Sequence, residues 1–138
     1  MEIIINPDPA HVIALRELEK LRDEKLWQSG DVKKYYTRLT EVLRQYLENR
    51  YRVYSLELTT RETLDALVKT GFKKDGSYNQ LKNVLTSADL VKFAKYSPEP
   101  SENETVFQES WNFVLATKAE SSALTETEPD NKNKEVTV

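Results

Sequence analysis

The side chains that most often catalyse reactions or bind metals are scarce in this sequence. The chain has one histidine, His11, and no cysteine. A metal site or an activated nucleophile needs several convergent groups, so His11 is predicted to be a surface residue without a catalytic role. With a single histidine, the serines and threonines offer no catalytic triad. We therefore predict no catalytic residue and no metal site.

The sequence also contains no motif for nucleotide binding and no distinctive pair of catalytic carboxylates. The glycines Gly30, Gly71 and Gly76 are scattered, and each is predicted to lie at a helix end instead of in a phosphate-binding loop. The acids of the first helix alternate with basic residues three and four positions away, which is typical of a solvated helix face. The prediction is that the protein is not an enzyme and needs no cofactor.

Length and charge indicate one neutral domain with an acidic tail. A chain of 138 residues is long enough for a single core. Its net charge of −3 comes entirely from the tail, which is rich in Ser, Thr and Glu and too polar to compensate the entropy of ordering. We predict an N-terminal extension over 1–7, a helical domain over 8–118 and a disordered tail over 119–138. No apolar run approaches the length of a membrane-spanning helix.

Apolar periodicity and capping residues predict an all-α fold, a compact bundle of about five helices. The second helix, from about Asp31 to Arg52, is the longest, and residues 53–58 are interpreted as a connector without a strand partner. The predicted helix starts are Asp8 as N-cap followed by Pro9, and the capping boxes Thr59 with Glu62, Ser77 with Gln80, and Ser101 with Glu104.

Two kinds of site can be proposed on these helices. Tyr35, Tyr51 and Tyr54 are candidate anchors for a protein partner, because aromatic side chains dominate binding hot spots. Their spacing leaves open whether each ring is exposed or in the core. Arg44 and Asp89 lie beside apolar positions in the middle of their helices, and we predict that they form a structural ion pair across the second and fourth helices.

Nucleic-acid binding is the alternative function. Basic residues outnumber acidic ones on the second helix and alternate with tyrosines, a combination found in nucleic-acid-binding proteins. The neutral domain lacks the positive field on which such binding usually depends, and this favours a protein partner. The basic residues are Lys33, Lys34, Arg38, Arg44, Arg50 and Arg52.

Three runs of residues, 35–47, 58–62 and 88–95, carry a family resemblance over roughly His11 to Lys118. They read YYTRLTEVLRQYL, LTTRE and ADLVKFAK. This pattern resembles the cytoplasmic helical domain of Bacteroidetes membrane proteins encoded with the Bat aerotolerance group, beside MoxR ATPases and von Willebrand A domain proteins.

The resemblance implies a non-catalytic interaction module on the cytoplasmic side of a membrane. Its expected partner is a MoxR-type ATPase or a von Willebrand A domain protein. Attachment to the membrane would occur only through a helix absent from this chain, because the chain itself is expected to be soluble.

Overall fold

Five α-helices form the part of the chain that the structure, a computed structural model, describes, which is residues 8–119. The predicted all-α fold is confirmed, and no strand occurs within these residues. The connector contains one 3₁₀ turn, Ser55–Glu57. The predicted extension over 1–7 and the predicted tail, apart from residue 119, lie outside the described residues. The helices are α1 (Ala10–Glu24), α2 (Val32–Tyr51), α3 (Thr60–Lys69), α4 (Gly76–Phe93) and α5 (Pro100–Thr117).

The four longer helices surround one apolar core. Helix α1 packs against α2 and α5, and α4 packs against α2 and α5, so the four close into a ring. The short α3 packs against α4 at the side of this ring. Leucines three and four positions apart are the commonest residues of the core, as the periodicity predicts. Fully buried apolar residues include Leu18, Leu21, Leu39, Leu43, Leu47, Leu81, Val84, Leu85, Phe113 and Val114.

Polar contacts fix α5 against α2 at both ends. At one end the buried hydroxyl of Tyr36 donates to Asn103 Oδ1, and that of Tyr35 donates to the Asn103 carbonyl, each over 2.8 Å. At the other end, the Tyr46 hydroxyl lies 2.8 Å from the Thr117 hydroxyl. Because the start of α2 meets the start of α5 and the end meets the end, the two helices run parallel across the ring.

The helix starts differ from the predictions in three of four cases. The capping box of Thr59 and Glu62 is confirmed, with both reciprocal hydrogen bonds formed. Helix α1 begins one residue later than predicted, after Pro9, which takes the N-cap position in an extended conformation. The predicted Ser77 and Ser101 caps are wrong, because the chain already turns into the helix at Asp75 and at Glu99.

Asp75 displaces Ser77 as the cap because its carboxylate reaches two free amides. Asp75 Oδ1 accepts hydrogen bonds from the Ser77 and Tyr78 amides over 3.0 and 3.2 Å. A carboxylate at this position also interacts favourably with the positive end of the helix dipole. In α5 the Glu102 carboxylate accepts from the Glu99 amide over 2.7 Å, which satisfies the amide at the N-cap position.

The corrected cap leads to a stability prediction. Asp75→Ala should lower the free energy of unfolding by about 1 kcal/mol, because two amides of the first turn lose their acceptor. Ser77→Ala is the matched control and should change the free energy by less than about 0.5 kcal/mol. Urea unfolding followed by circular dichroism measures both. A larger loss in Ser77→Ala than in Asp75→Ala would contradict the assignment.

A second prediction concerns alkaline pH. Burial raises the pKa of the Tyr35 and Tyr36 hydroxyls above their ordinary value of about 10. Above that pH the unfolded chain releases these protons while the folded chain holds them, so the unfolded state binds fewer protons and stability falls as pH rises. Urea unfolding between about pH 8 and 11 should show this fall.

Tyr36→Phe tests the assignment of that pH dependence, with Tyr54→Phe as the control at an exposed ring. The Tyr36 variant should lose less stability between neutral and alkaline pH than the wild type, since one of the titrating groups is gone. The Tyr54 variant should retain the wild-type slope. Equal slopes in all three proteins would contradict the prediction.

Candidate docking groove

The buried guanidinium of Arg44 joins α2 to the connector and to α3. Its Nη1 donates to the carbonyls of Ser55 and Leu58 over 2.7 and 2.8 Å. The same nitrogen lies 2.9 Å from Ser55 Oγ and 3.1 Å from Thr63 Oγ1, and these two hydroxyls are 2.7 Å apart. A buried charge is tolerated where protein oxygens replace its hydration, and here the connector and α3 supply those oxygens.

Asp89 belongs to the same polar cluster but does not contact Arg44 directly. No ion pair within 4.0 Å joins these two side chains of α2 and α4. The Thr60 hydroxyl lies between them: it donates to Asp89 Oδ2 over 2.7 Å and accepts a long contact of 3.5 Å from Arg44 Nη2. Burial lowers the pKa of Arg44, and the Asp89 charge opposes that shift. The predicted pair is therefore bridged by a hydroxyl.

Lys92 adds a second cation one turn further along α4. Its ammonium donates to Thr40 Oγ1 over 3.2 Å, and that hydroxyl itself donates to the Tyr36 carbonyl over 3.0 Å. Partial burial lowers the pKa of Lys92, and the nearby Arg44 charge lowers it further. The two cations are thus held by oxygens of the protein's own backbone and hydroxyls.

These polar groups form the floor of a groove with a volume of about 760 Å³, which we call the α2–α4 groove. Its walls are apolar and exposed: Leu56 comes from the connector, and Leu90 and Phe93 come from α4. Phe93 is 78% exposed, the largest value among the exposed large apolar residues of the described chain. The floor is Thr40, Arg44, Thr60, Asp89 and Lys92, with Glu41 and Glu57 at the rim.

Two smaller depressions are less suited to an apolar ligand. One, of about 570 Å³, lies between α1 and α2 beside Tyr54 and is lined largely by acidic, amide and arginine side chains. The other, of about 360 Å³, lies beside Trp27 between the α1–α2 turn and α5. Of these three sites, only the α2–α4 groove combines three exposed large apolar side chains with a buried charge, that of Arg44.

The three predicted aromatic anchors have different environments. Tyr35 is only 2% exposed and belongs to the core, so the interpretation as an exposed anchor is wrong for this residue. Tyr51 is half-buried, with its ring edge against Phe72 at 5.5 Å between centroids and the Arg50 guanidinium 4.5 Å above it. Tyr54 is 55% exposed and is the one predicted anchor that is available to a partner.

The basic residues of α2 do not form one continuous cationic surface. Arg44 is buried in the polar cluster, and Arg38 forms a two-pronged contact with the Glu24 carboxylate at 2.9 and 3.3 Å. Arg50 donates through Nε to the Thr117 carbonyl over 2.8 Å. The lysines at the start of α2, Lys33 and Lys34, are exposed. Three of the six basic residues on which the nucleic-acid alternative depended, Arg38, Arg44 and Arg50, thus form contacts within the protein.

His11 lies on α1, away from the groove, and is partly buried. Burial lowers the pKa of its imidazole, and the nearby Lys118 charge lowers it further. Within residues 8–119, no group of three or more His, Cys, Asp or Glu side chains could hold a metal ion.

Sequence reasoning missed the groove residues Leu56, Leu90, Lys92 and Phe93. A signal was present in α4, because Leu90 and Phe93 lie three residues apart and outside the stripe of core residues that ends at Val91. Apolar residues outside the core stripe of an amphipathic helix indicate a surface that binds something else. Only the fold shows that Leu56 of the connector lies beside them.

Comparisons with known proteins find no match: no protein-family model matches the sequence, and neither a curated protein nor a solved structure matches the chain. None of the helices in the described part of the chain combines the length and apolar character needed to cross a membrane. A functional proposal therefore depends on the groove and on the resemblance of the three sequence runs.

A double-mutant cycle tests the link between Arg44 and Asp89. Arg44→Met and Asp89→Ala should each destabilise the fold, and their effects should be non-additive by about 0.5–3 kcal/mol because both change one hydrogen-bonded cluster. Urea unfolding of the two single variants and the double variant provides the measurement. Additive effects would contradict the predicted coupling.

Two further cycles locate the coupling. In a Thr60→Val background the bridging hydroxyl is gone, and the non-additivity should decrease. Asp65, an exposed residue of α3, serves as the control partner for Arg44, and this pair should be additive within about 0.5 kcal/mol.

Proposed function

We propose that the protein is a non-catalytic protein–protein interaction module and that the α2–α4 groove is its binding site. The observation that carries the proposal is the exposure of three large apolar side chains around one groove: Leu56 and Leu90 at 49% each and Phe93 at 78%. Exposed apolar side chains that are grouped in this way commonly mark protein interaction sites. Aromatic residues such as Phe93 are enriched in interfaces.

The hydrogen bonds beneath the groove, which connect the elements that carry its walls, support this proposal. The Arg44 hydrogen bonds hold the connector, which carries Leu56, against α2 and α3. The Thr60 and Lys92 contacts hold α4, which carries Leu90 and Phe93, beside α3 and α2. A site whose walls are already positioned loses less conformational entropy when a partner binds.

For the partner, we propose a MoxR-type ATPase or a von Willebrand A domain protein. The support is that the three runs carrying the family resemblance, 35–47, 58–62 and 88–95, also supply all of the groove lining except Leu56 and Glu57. A partner shared within such a family would contact these residues. The proposed location, on the cytoplasmic face of a membrane and tethered through a longer parent protein, is supported by the resemblance alone.

Affinity capture from a lysate of the source organism tests this function, with the wild type compared with Phe93→Asp. The wild type should retain a MoxR-type ATPase or a von Willebrand A domain protein. Phe93→Asp should reduce that protein by at least about tenfold, since it places a charge in the apolar wall. Quantitative mass spectrometry of the bound proteins provides the measurement.

Leu115→Asp is the matched control, because Leu115 is a 42% exposed leucine on α5 outside the groove. It should retain the partner at the wild-type level. Both variants alter exposed positions, so their unfolding free energies should stay within about 0.5 kcal/mol of the wild type. Equal retention by the wild type and by folded Phe93→Asp would exclude the groove as the binding site.

A further inference from the structure

The charges along the α2–α4 groove are distributed unequally between its floor and its rim. The Arg44 guanidinium is buried, and four oxygens of the connector and α3 surround its Nη1. Lys92 is half-buried and is hydrogen-bonded to Thr40. Both cations therefore have part of their hydration replaced by protein oxygens. Arg44 is nearly inaccessible to a ligand, whereas Lys92 uses one of its three N–H donors in its hydrogen bond to Thr40.

In contrast to the partly buried cations, the carboxylates at the rim are exposed to solvent. Glu41 and Glu57 are exposed, and neither belongs to an ion pair within 4.0 Å among residues 8–119. The Glu41 and Asp89 charges act on Lys92 from a longer distance and oppose the lowering of its pKa by burial. Asp89 accepts one hydrogen bond, from Thr60, through Oδ2. Three carboxylates thus line a groove that contains two cations, and the exposed charges at its rim are negative.

Apolar walls and a negative rim determine which segment is complementary. The exposed faces of Leu56, Leu90 and Phe93 are buried best by apolar side chains, since burial of apolar surface is the main favourable contribution. The rim carboxylates Glu41 and Glu57 would be left facing like charge by an acidic segment, which is strongly unfavourable. Lysine or arginine side chains would instead contact them and could keep apolar stems against the walls.

From this complementarity we propose that the α2–α4 groove binds an amphipathic segment of a partner protein that presents apolar side chains to Leu56, Leu90 and Phe93 and basic side chains to Glu41 and Glu57. The proposal rests on the proposed function, because it specifies the chemistry of the partner at the same site. It is separate from the identity of the partner, since any protein carrying such a segment would fit.

Three synthetic helical peptides with the same leucine positions and either lysine, glutamine or glutamate at the remaining positions are suitable probes. The isotope-labelled full chain is titrated with each peptide, and amide chemical shifts identify the site while fluorescence anisotropy gives the affinity. The lysine peptide should bind at least about tenfold more tightly than the glutamine peptide, and the glutamate peptide should bind most weakly. The largest shifts should fall at Leu56, Leu90 and Phe93.

A charge-reversal variant makes the test specific for the rim. In Glu41→Lys/Glu57→Lys the order should reverse, so that the glutamate peptide binds more tightly than the lysine peptide. The matched control is Glu19→Lys, at an exposed position of α1, which should leave the order unchanged. Added salt should weaken the lysine peptide more than the glutamine peptide, because exposed charge pairs are screened.

The possible failures can be distinguished. If the glutamine peptide binds in the groove as tightly as the lysine peptide, or the glutamate peptide binds more tightly, the charge preference is overturned while the groove remains a protein-binding site. Binding of the lysine peptide elsewhere on the surface, or no binding by any peptide, also overturns the inference. A sedimentation measurement showing that two copies of the chain bury Phe93 against each other would overturn it as well. The proposed function itself is judged by the capture experiment with Phe93→Asp.

Discussion

The buried guanidinium of Arg44 is the contact on which the α3 side of this bundle depends. A cation in an apolar interior must have its hydration replaced, and the replacement comes from two carbonyls and two hydroxyls on residues 55–63. These acceptors do not belong to the four helices of the ring. The connector and α3 are therefore positioned by the need to satisfy one charge on α2 as well as by their own apolar residues Val53, Leu64 and Leu67, which join the core.

The groove is a consequence of that arrangement. The carbonyls of Ser55 and Leu58 in the connector accept hydrogen bonds from Arg44 of α2. In this conformation Leu56, which lies between them, is at the surface instead of in the core. Thr60, which follows the connector, reaches Asp89 on α4 and fixes the opposite wall. The buried polar cluster and the exposed apolar walls are thus parts of one structural feature, and substitutions in the cluster are expected to affect the shape of the binding site.

The opposite side of α2 uses neutral hydrogen bonds for a similar purpose. Tyr35 and Tyr36 reach the first turn of α5, and Tyr46 reaches its last turn. Apolar packing alone allows helices to slide along each other, whereas a buried hydroxyl must meet its acceptor at one position. These tyrosines therefore fix the alignment of α2 and α5, which explains why Tyr35, one of the three candidate anchors, is a core residue.

The amino-acid sequence by itself determined the helices, because apolar periodicity and the Thr59–Glu62 capping box are local properties. It also indicated that Arg44 and Asp89 lie in unusual positions. The start of α4 is also set locally, by the Asp75 carboxylate and the two amides that it reaches, although the sequence alone did not distinguish Asp75 from Ser77 as the cap. Tertiary structure decided the position and lining of the α2–α4 groove. Leu56, Arg44 and Phe93 are far apart in the sequence, and only folding places them on one surface.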